Sequence, residues 1–213
     1  IHANRSTPTE HMSIAQLQSE VLIEDSIQPK CTYKPSAVLP QNIFLTGATG
    51  FLGAFLLCEL LQQTQANIYC LVRAENLIEA NDKLRRVLSA SHPNMQFASG
   101  RIIPVIGDLS KPQLGLSLQQ LNHISQCCDV IYHGGANVNL LYPYSALHST
   151  NVQGTHEILK LATMSSPKPV HYLSTLDVFE SLAGTGVREF FEESKISKGE
   201  GIAGGYAQSK WVA

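Results

Sequence analysis

The residues Asn42–Thr46 (N-I-F-L-T) run directly into Gly47-Ala48-Thr49-Gly50-Phe51-Leu52-Gly53, and Phe51–Gln63 then carries the apolar face of a helix. A buried run, three glycines three residues apart and an amphipathic segment leave few options. The chain must turn sharply out of a strand and start a helix at once. The same rhythm continues downstream. Apolar runs at Asn67–Val72, Arg101–Ile106, Asp129–His133 and Pro169–Ser174 read as strands. Ala74–Ser91, Ser117–Gln126, Tyr144–Met164 and Ile202–Ala213 read as helices, with Leu77, Ile78, Leu84, Val87 and Leu88 inward in the first of these. Continuous apolar strands alternating with helices imply right-handed crossovers and a parallel sheet covered on both faces. The expected fold class is α/β, a Rossmann-type doubly wound parallel sheet. Pro104 points to an edge position or an irregularity in the third strand, because proline cannot donate to the ladder.

Composition removes several alternatives. With Lys+Arg 15 against Asp+Glu 17, the net charge of −2 gives no general electrostatic grip on nucleic acid. A hydrophobic content of 44% with 15% charged residues is too apolar for disorder. No apolar run reaches the roughly 20 residues of a membrane span, and the first residues show no secretory h-region. The five cysteines (Cys31, Cys58, Cys70, Cys127, Cys128) contain no C-x-x-C pair. They read as reduced thiols of a cytoplasmic protein, with no metal-ligand spacing. Residues 1–40 differ from the rest. Ile14, Leu17, Val21 and Leu22 approach helical spacing, and Pro29, Pro35 and Pro40 then break the chain. They read as an arm leading into a domain of residues 41–213.

The glycine turn carries the first chemistry. A phosphate needs backbone N–H groups pointing at it and no Cβ in the way. Gly47 permits the sharp turn, Gly50 the approach of a pyrophosphate, and Gly53 close packing of helix on strand, with the helix dipole adding positive potential. The expected cofactor is a dinucleotide. Arg73 ends the second strand, where the adenosine ribose would lie. A carboxylate there would bond a 2′-hydroxyl, whereas an arginine pairs with a 2′-phosphate, so NADP(H) is expected. Asp108 either accepts from the adenine amino group or caps the next turn. The loop His133-Gly134-Gly135-Ala136-Asn137 is small enough to lie against a cofactor, and His133 itself reads as a packed strand-end histidine.

The second chemistry lies at the end of the chain. Tyr206 and Lys210 are four residues apart and share a helical face. Carbonyl reduction needs a proton for the developing alkoxide. Free tyrosine has a pKa of ~10, and a neighbouring ammonium is expected to lower it and make the phenol a better acid. Thr175, ahead of Ser174, would bond the substrate oxygen at the end of the fifth strand.

These stretches together resemble an extended short-chain dehydrogenase/reductase over about residues 41–213. Within that superfamily the chain is similar to the thioester reductase domains of nonribosomal peptide and polyketide synthases, and to those of carboxylic acid and aminoadipate reductases. The resemblance rests on L-T-G-A-T-G-F-L-G (45–53), C-L-V-R-A (70–74), H-G-G-A-N-V-N (133–139), N-V-Q-G-T (151–155), Y-L-S-T-L-D-V (172–178) and G-Y-A-Q-S-K-W-V-A (205–213). It implies catalytic roles for Thr175, Tyr206 and Lys210. It implies cofactor contacts from Gly47, Thr49, Gly50, Phe51, Leu52, Gly53, Arg73, Asp108, Leu109, Gly135, Asn151, Tyr206 and Lys210. Asn151 matches an asparagine that supports the active site in extended members, or it serves as an N-cap. Gly134–Ala136 departs from the larger or alanine-rich residues of many relatives.

The resemblance further implies NADPH-dependent release of an acyl or peptidyl thioester, held on a phosphopantetheinyl carrier domain, as an aldehyde and in some cases an alcohol. Leu17–Pro29 resembles the segment that joins a carrier domain to such a reductase. Members of the family continue past the Y-x-x-x-K helix into further strands and a substrate-binding subdomain, which is expected to lie outside residues 1–213. The 213 residues alone are therefore expected to bind NADPH weakly and turn over little. Two alternatives remain: another extended reductase, such as one acting on fatty acyl-CoA, and a non-catalytic NADP(H)-binding module.

Overall fold

The computed structural model describes residues 13–33, 39–91, 93, 99–182, 189, 191 and 202–213. Five parallel strands form one sheet in the order β3-β2-β1-β4-β5. They are β1 (Asn42–Thr46), β2 (Asn67–Val72), β3 (Ile102–Ile106), β4 (Val130–His133) and β5 (Val170–Tyr172). The order reverses between β1 and β4, which opens the crevice where ligands bind in doubly wound sheets. Pro104 pairs with Cys70 on the edge strand β3, as its missing N–H requires.

Helices cover both faces: α2 (Phe51–Gln63) and α3 (Leu77–Ser91) on one, α4 (Leu118–Cys127) and α6 (Gly154–Met164) on the other. Strand alternation divides the core accordingly. Ile43, Leu45, Ile68 and Cys70 pack with Leu57 and Leu61 of α2 and Ala80, Leu84 and Leu88 of α3. Phe44, Leu71, Val105 and Ile131 pack with Ile124 of α4 and Ile158 and Leu161 of α6. Three polar contacts fix the ends of elements. Asp129 Oδ2 accepts from the N–H groups of Gln41 and Asn42, which starts β1. Ser117 and Gln120 form a reciprocal cap on α4. The Arg101 guanidinium donates to the carbonyls of Leu61 and Thr64 at the end of α2, where cations are favoured.

The structure corrects several expectations. The predicted helix 74–91 begins at Leu77, so Leu77 and Ile78 lie in a first turn beyond the sheet and are exposed, at 56% and 76%. Ala80, Leu84 and Leu88, at i, i+4 and i+8, supply the core stripe instead. The final helix, α7, spans Gly205–Val212 rather than starting at Ile202. The long segment 144–164 is interrupted: α5 (Tyr144–His148) passes through a π-helical turn, Ser149–Gln153, into α6. In the arm, α1 (Ile14–Glu20) buries Leu17, while Val21 and Leu22 are exposed.

Candidate active site

The turn after β1 is built from backbone. Gly47 has φ +80°, the left-handed region, and a Cβ there would meet the Gly134 carbonyl at 2.7 Å. A Cβ on Gly53 would lie 1.9 Å from the Gly47 carbonyl oxygen. Gly135 is equally confined, between the Leu109 side chain and Thr46 Oγ1. The turn after β1, the start of α2 and the loop after β4 therefore approach one another backbone to backbone at Gly47. Gly50 is the N-cap of α2 and no side chain caps that helix, while Thr49, Gly50, Phe51 and Leu52 are exposed. Uncovered main-chain donors at the head of a thirteen-residue helix fit a pyrophosphate.

Arg73 follows β2 on the same edge of the sheet, and its side chain is exposed. Its carbonyl accepts from Lys83 Nζ at 2.7 Å, and that ammonium also pairs with Glu79. Asp108 Oδ1 accepts from the N–H and hydroxyl of Ser110, both at 2.9 Å, so this carboxylate does close the following turn. Leu109 is packed against Gly135 and Gly154.

At the other end of the crevice, α7 is tied to the tip of β5. Lys210, only 5% exposed, donates to the Leu173 carbonyl at 2.6 Å and sits 4.0 Å over the Tyr172 ring. Burial pulls its ammonium down to about 8, because a charge leaves water for a carbonyl and a ring face. Tyr206 is half-buried and lines an open cavity of about 540 Å³ with Leu140, Leu176, Asp177, Phe179, Gly204 and Ala207. Thr175 Oγ1 accepts from the Asp177 N–H at 3.3 Å, at the start of the turn that supplies Leu176 and Asp177 to that cavity. The expectation of a lowered Tyr206 pKa is corrected. Burial raises it, and the Asp177 carboxylate raises it further. The Lys210 ammonium, bonded to the Leu173 carbonyl, is not among the groups that shift it.

A buried polar network joins the two ends. Asn151, in the π-helical turn, accepts from the Asn137 N–H at 2.8 Å and donates to the Asn137 carbonyl and to Ser209 Oγ of α7. Its role is therefore a cross-link between the loop after β4 and α7 rather than an N-cap. His133 links this to the glycine turn. The Gly135 N–H donates to Thr46 Oγ1, so the Thr46 hydroxyl is left to donate to His133 Nδ1 at 2.7 Å. The ring proton then belongs on Nε2, which lies 3.1 Å from Thr155 Oγ1, and the Thr155 hydroxyl donates to the Asn151 carbonyl at 2.6 Å. This tautomer follows from the partners. Burial, reinforced by the Lys210 charge, drives His133 down to about 3, so it is neutral.

Sequence reasoning missed Tyr172 under the ammonium and Asp177 beside the phenol. Both lie within the Y-L-S-T-L-D-V stretch, but nothing in its pattern says which way either side chain faces.

The fold and the crevice define a dinucleotide-binding α/β domain of the doubly wound class. Residues 45–213 match the NAD-binding family described as Male sterility protein, and the chain belongs to that family; its cofactor class is a nicotinamide dinucleotide. It is 47% identical over 197 residues to a linear gramicidin synthase polypeptide of Brevibacillus parabrevis, a match covering 92% of this chain and 4% of that protein. It is 35% identical to the L-2-aminoadipate reductase large subunit of Candida glabrata, over 81% of this chain and 14% of that one. Among solved structures, the terminal R domain of the myxalamid PKS-NRPS pathway superposes with a TM-score of 0.85 at 41% identity, covering 93% of this chain and 50% of that domain. The chain thus spans about half of that R domain and a small part of the two longer proteins. Among the described residues, no helix is long and apolar enough to cross a membrane.

Proposed function

We propose that this chain is the cofactor-binding half of an NADPH-dependent thioester reductase that releases an acyl or peptidyl chain from a carrier-protein domain as an aldehyde. One observation carries the reading. The helix bearing Tyr206 and Lys210 is bonded to the end of β5, and Tyr206 shares an open cavity with the turn that begins at Thr175.

Bound NADPH supplies the hydride. The chain's residues do the rest. Thr49, Phe51 and Leu52 would offer the pyrophosphate exposed main chain at the head of α2, on a turn that Gly47, Gly50 and Gly53 make possible, and the exposed Arg73 guanidinium would favour a 2′-phosphate. Lys210 brings a cation to the ribose side of the crevice, where Asn151 holds α7 in place through Ser209. Tyr206 and Thr175 present hydroxyls to the thioester oxygen as charge develops on it. Tyr206, whose pKa burial and Asp177 raise, is protonated at neutral pH and holds the proton that the developing alkoxide takes. Loss of the pantetheine thiol from the resulting tetrahedral hemithioacetal leaves the aldehyde.

The arm, residues 1–40, belongs in this reading to the connection from a carrier domain, and residues 41–213 to the NADP(H)-binding unit. That this chain matches 4% of a linear gramicidin synthase subunit and 14% of an aminoadipate reductase subunit supports a unit built into a longer protein. The five free cysteines support a reducing, cytoplasmic setting.

The test is NADPH oxidation by the full-length protein with carrier-bound thioester, acyl-pantetheine and acyl-CoA compared. Tyr206→Phe is expected to lower kcat about 10²-fold or more while NADPH still binds. Undiminished turnover in Tyr206→Phe would remove the assigned role, and a preference for acyl-CoA over the carrier would favour a fatty acyl reductase.

A further inference from the structure

The arm is bonded to the helix system that carries Tyr206 and Lys210. Leu17 of α1 is 2% exposed and packs with Tyr144 of α5, Val152 of the π-helical turn and Val212 of α7, with Trp211 against the same cluster. Three residues later, Glu20 Oε2 accepts from the Tyr144 hydroxyl at 2.5 Å and lies 3.0 Å from His148 Nε2. One carboxylate oxygen thus holds donors from successive turns of α5. The Tyr144 phenol is buried, and burial together with the carboxylate pushes its pKa far above the ordinary value, so it remains a donor. Beyond α1, Ile27 is buried and Glu24 pairs with Lys160 of α6 at 3.1 Å.

Besides the Lys210 bond to the Leu173 carbonyl, the seat of α7 has three supports along its length. At its start, a Cβ on Gly205 would lie 2.4 Å from the Tyr142 carbonyl, so α7 rests directly on the backbone that leads into α5. In its middle, Ser209 is held by Asn151. At its end, Val212 is held by Leu17. The first two supports belong to α5 and to the turn that follows it. The third belongs to the arm, and Glu20 fixes the arm to α5.

We infer that α1 is a strap that sets the seating of α7, with Glu20 acting through Tyr144 as a positioning residue for Tyr206 and Lys210. The segment that precedes the sheet therefore tunes the reduction step although none of its described residues lines the Tyr206 cavity. This rests on the reductase reading for its kinetic part only; the seating of α7 stands without it. Reacting groups tolerate little displacement, and small shifts of a supporting element lower rate more than they lower binding.

The experiment uses the full-length protein with Glu20→Ala, Glu20→Gln and the pair Glu20→Ala with Tyr144→Phe. Two quantities are read: amide hydrogen exchange across residues 205–212, and the separate kcat and KM for NADPH. Glu20→Ala is expected to speed exchange in α7 and to lower kcat about tenfold with KM little changed. Glu20→Gln keeps an acceptor oxygen for Tyr144 and is expected to retain most of both. The paired variant leaves no orphaned hydroxyl and is expected to stay as impaired as Glu20→Ala. Return of the paired variant to wild-type exchange would show that Glu20 only satisfies a buried phenol, and would overturn the strap. Unchanged α7 exchange in Glu20→Ala would overturn it as well. A wild-type protein without NADPH-dependent turnover would refute the reductase reading, while the exchange result would still decide the seating.

Discussion

Lys210 donates its ammonium to the Leu173 carbonyl at 2.6 Å, across 37 residues of chain. That bond fastens α7 to the tip of β5 and accounts for the direction of the lysine side chain. The charge of Lys210 depends on pH within the working range, because burial has lowered its pKa to about 8.

Turnover is therefore expected to fall as pH rises through about 8, when the ammonium is lost. Tyr206 is shifted the other way, so its ionisation lies above this window. Stability moves oppositely. Between the folded value of about 8 and the ordinary 10.5, the unfolded chain binds more protons, so folding is favoured increasingly as pH rises. A kcat–pH profile of wild type beside Lys210→Arg checks this, since arginine stays charged and should move the alkaline limb upward. An unmoved limb would dissociate Lys210 from it.

His133 predicts acid sensitivity. Its folded value of about 3 lies below the ordinary 6.5. The unfolded state then binds the extra proton, and stability present above about 6.5 is lost as pH falls toward 3. From pH 7 to pH 4 that loss is about 3 kcal/mol. His133→Gln should be less stable at pH 7, since Thr46 or Thr155 loses its partner, yet should lose about 3 kcal/mol less on acidification. Denaturant unfolding at the two pH values decides it.

Gly53→Ala places a methyl group against the Gly47 carbonyl oxygen, where the gap is 1.9 Å. Neither atom sits on a flexible side chain, so the turn or α2 must move. A loss of about 3 kcal/mol is expected, with nicotinamide-dinucleotide binding impaired in proportion. Gly100→Ala, with nothing within 4 Å of the added Cβ, should stay within about 0.5 kcal/mol of wild type. Equal behaviour of the two variants in urea-dependent amide exchange of β1 and α2 would contradict the crowding.

Arg73→Asp tests the choice of cofactor. The side chain is exposed, so folding should change little. Loss of a charge-assisted contact, with a carboxylate now facing the 2′ position, should weaken NADPH binding about tenfold to a hundredfold and leave NADH binding equal or better. Titration with both nucleotides measures it; an unchanged ratio would place Arg73 away from the ribose.

Much of this fold is legible without coordinates. β1, α2 and β2 fall on the ranges read from the sequence, because strands buried on both faces are continuously apolar and the glycines mark the turn between strand and helix. Of the two readings that Pro104 allows, an edge strand or an irregularity, the edge is the one found for β3. Other features left no trace. Ser149–Gln153 contains neither glycine nor proline, so periodicity reads straight through the π-helical turn. Leu77 and Ile78 look like core residues because hydrophobicity shows that a side chain is apolar, not whether a neighbour reaches it. At the site, the spacing of Tyr206 and Lys210 indicates a shared helix face. It does not show that the lysine would spend its charge on Leu173 and Tyr172, a choice made by chain segments far apart in sequence.

The π-helical turn has an effect on the whole second half of the chain. A wider turn holds more residues for the same rise and delays the helix by roughly one residue's rotation, about 100°. Tyr144 before it is buried on the α7 side, whereas Ile158 and Leu161 after it are buried against the sheet. One length of helix thereby serves two separate interiors, and Asn151 stands at the phase change between them. Deleting a single residue there would yield a more regular helix and a misdirected one.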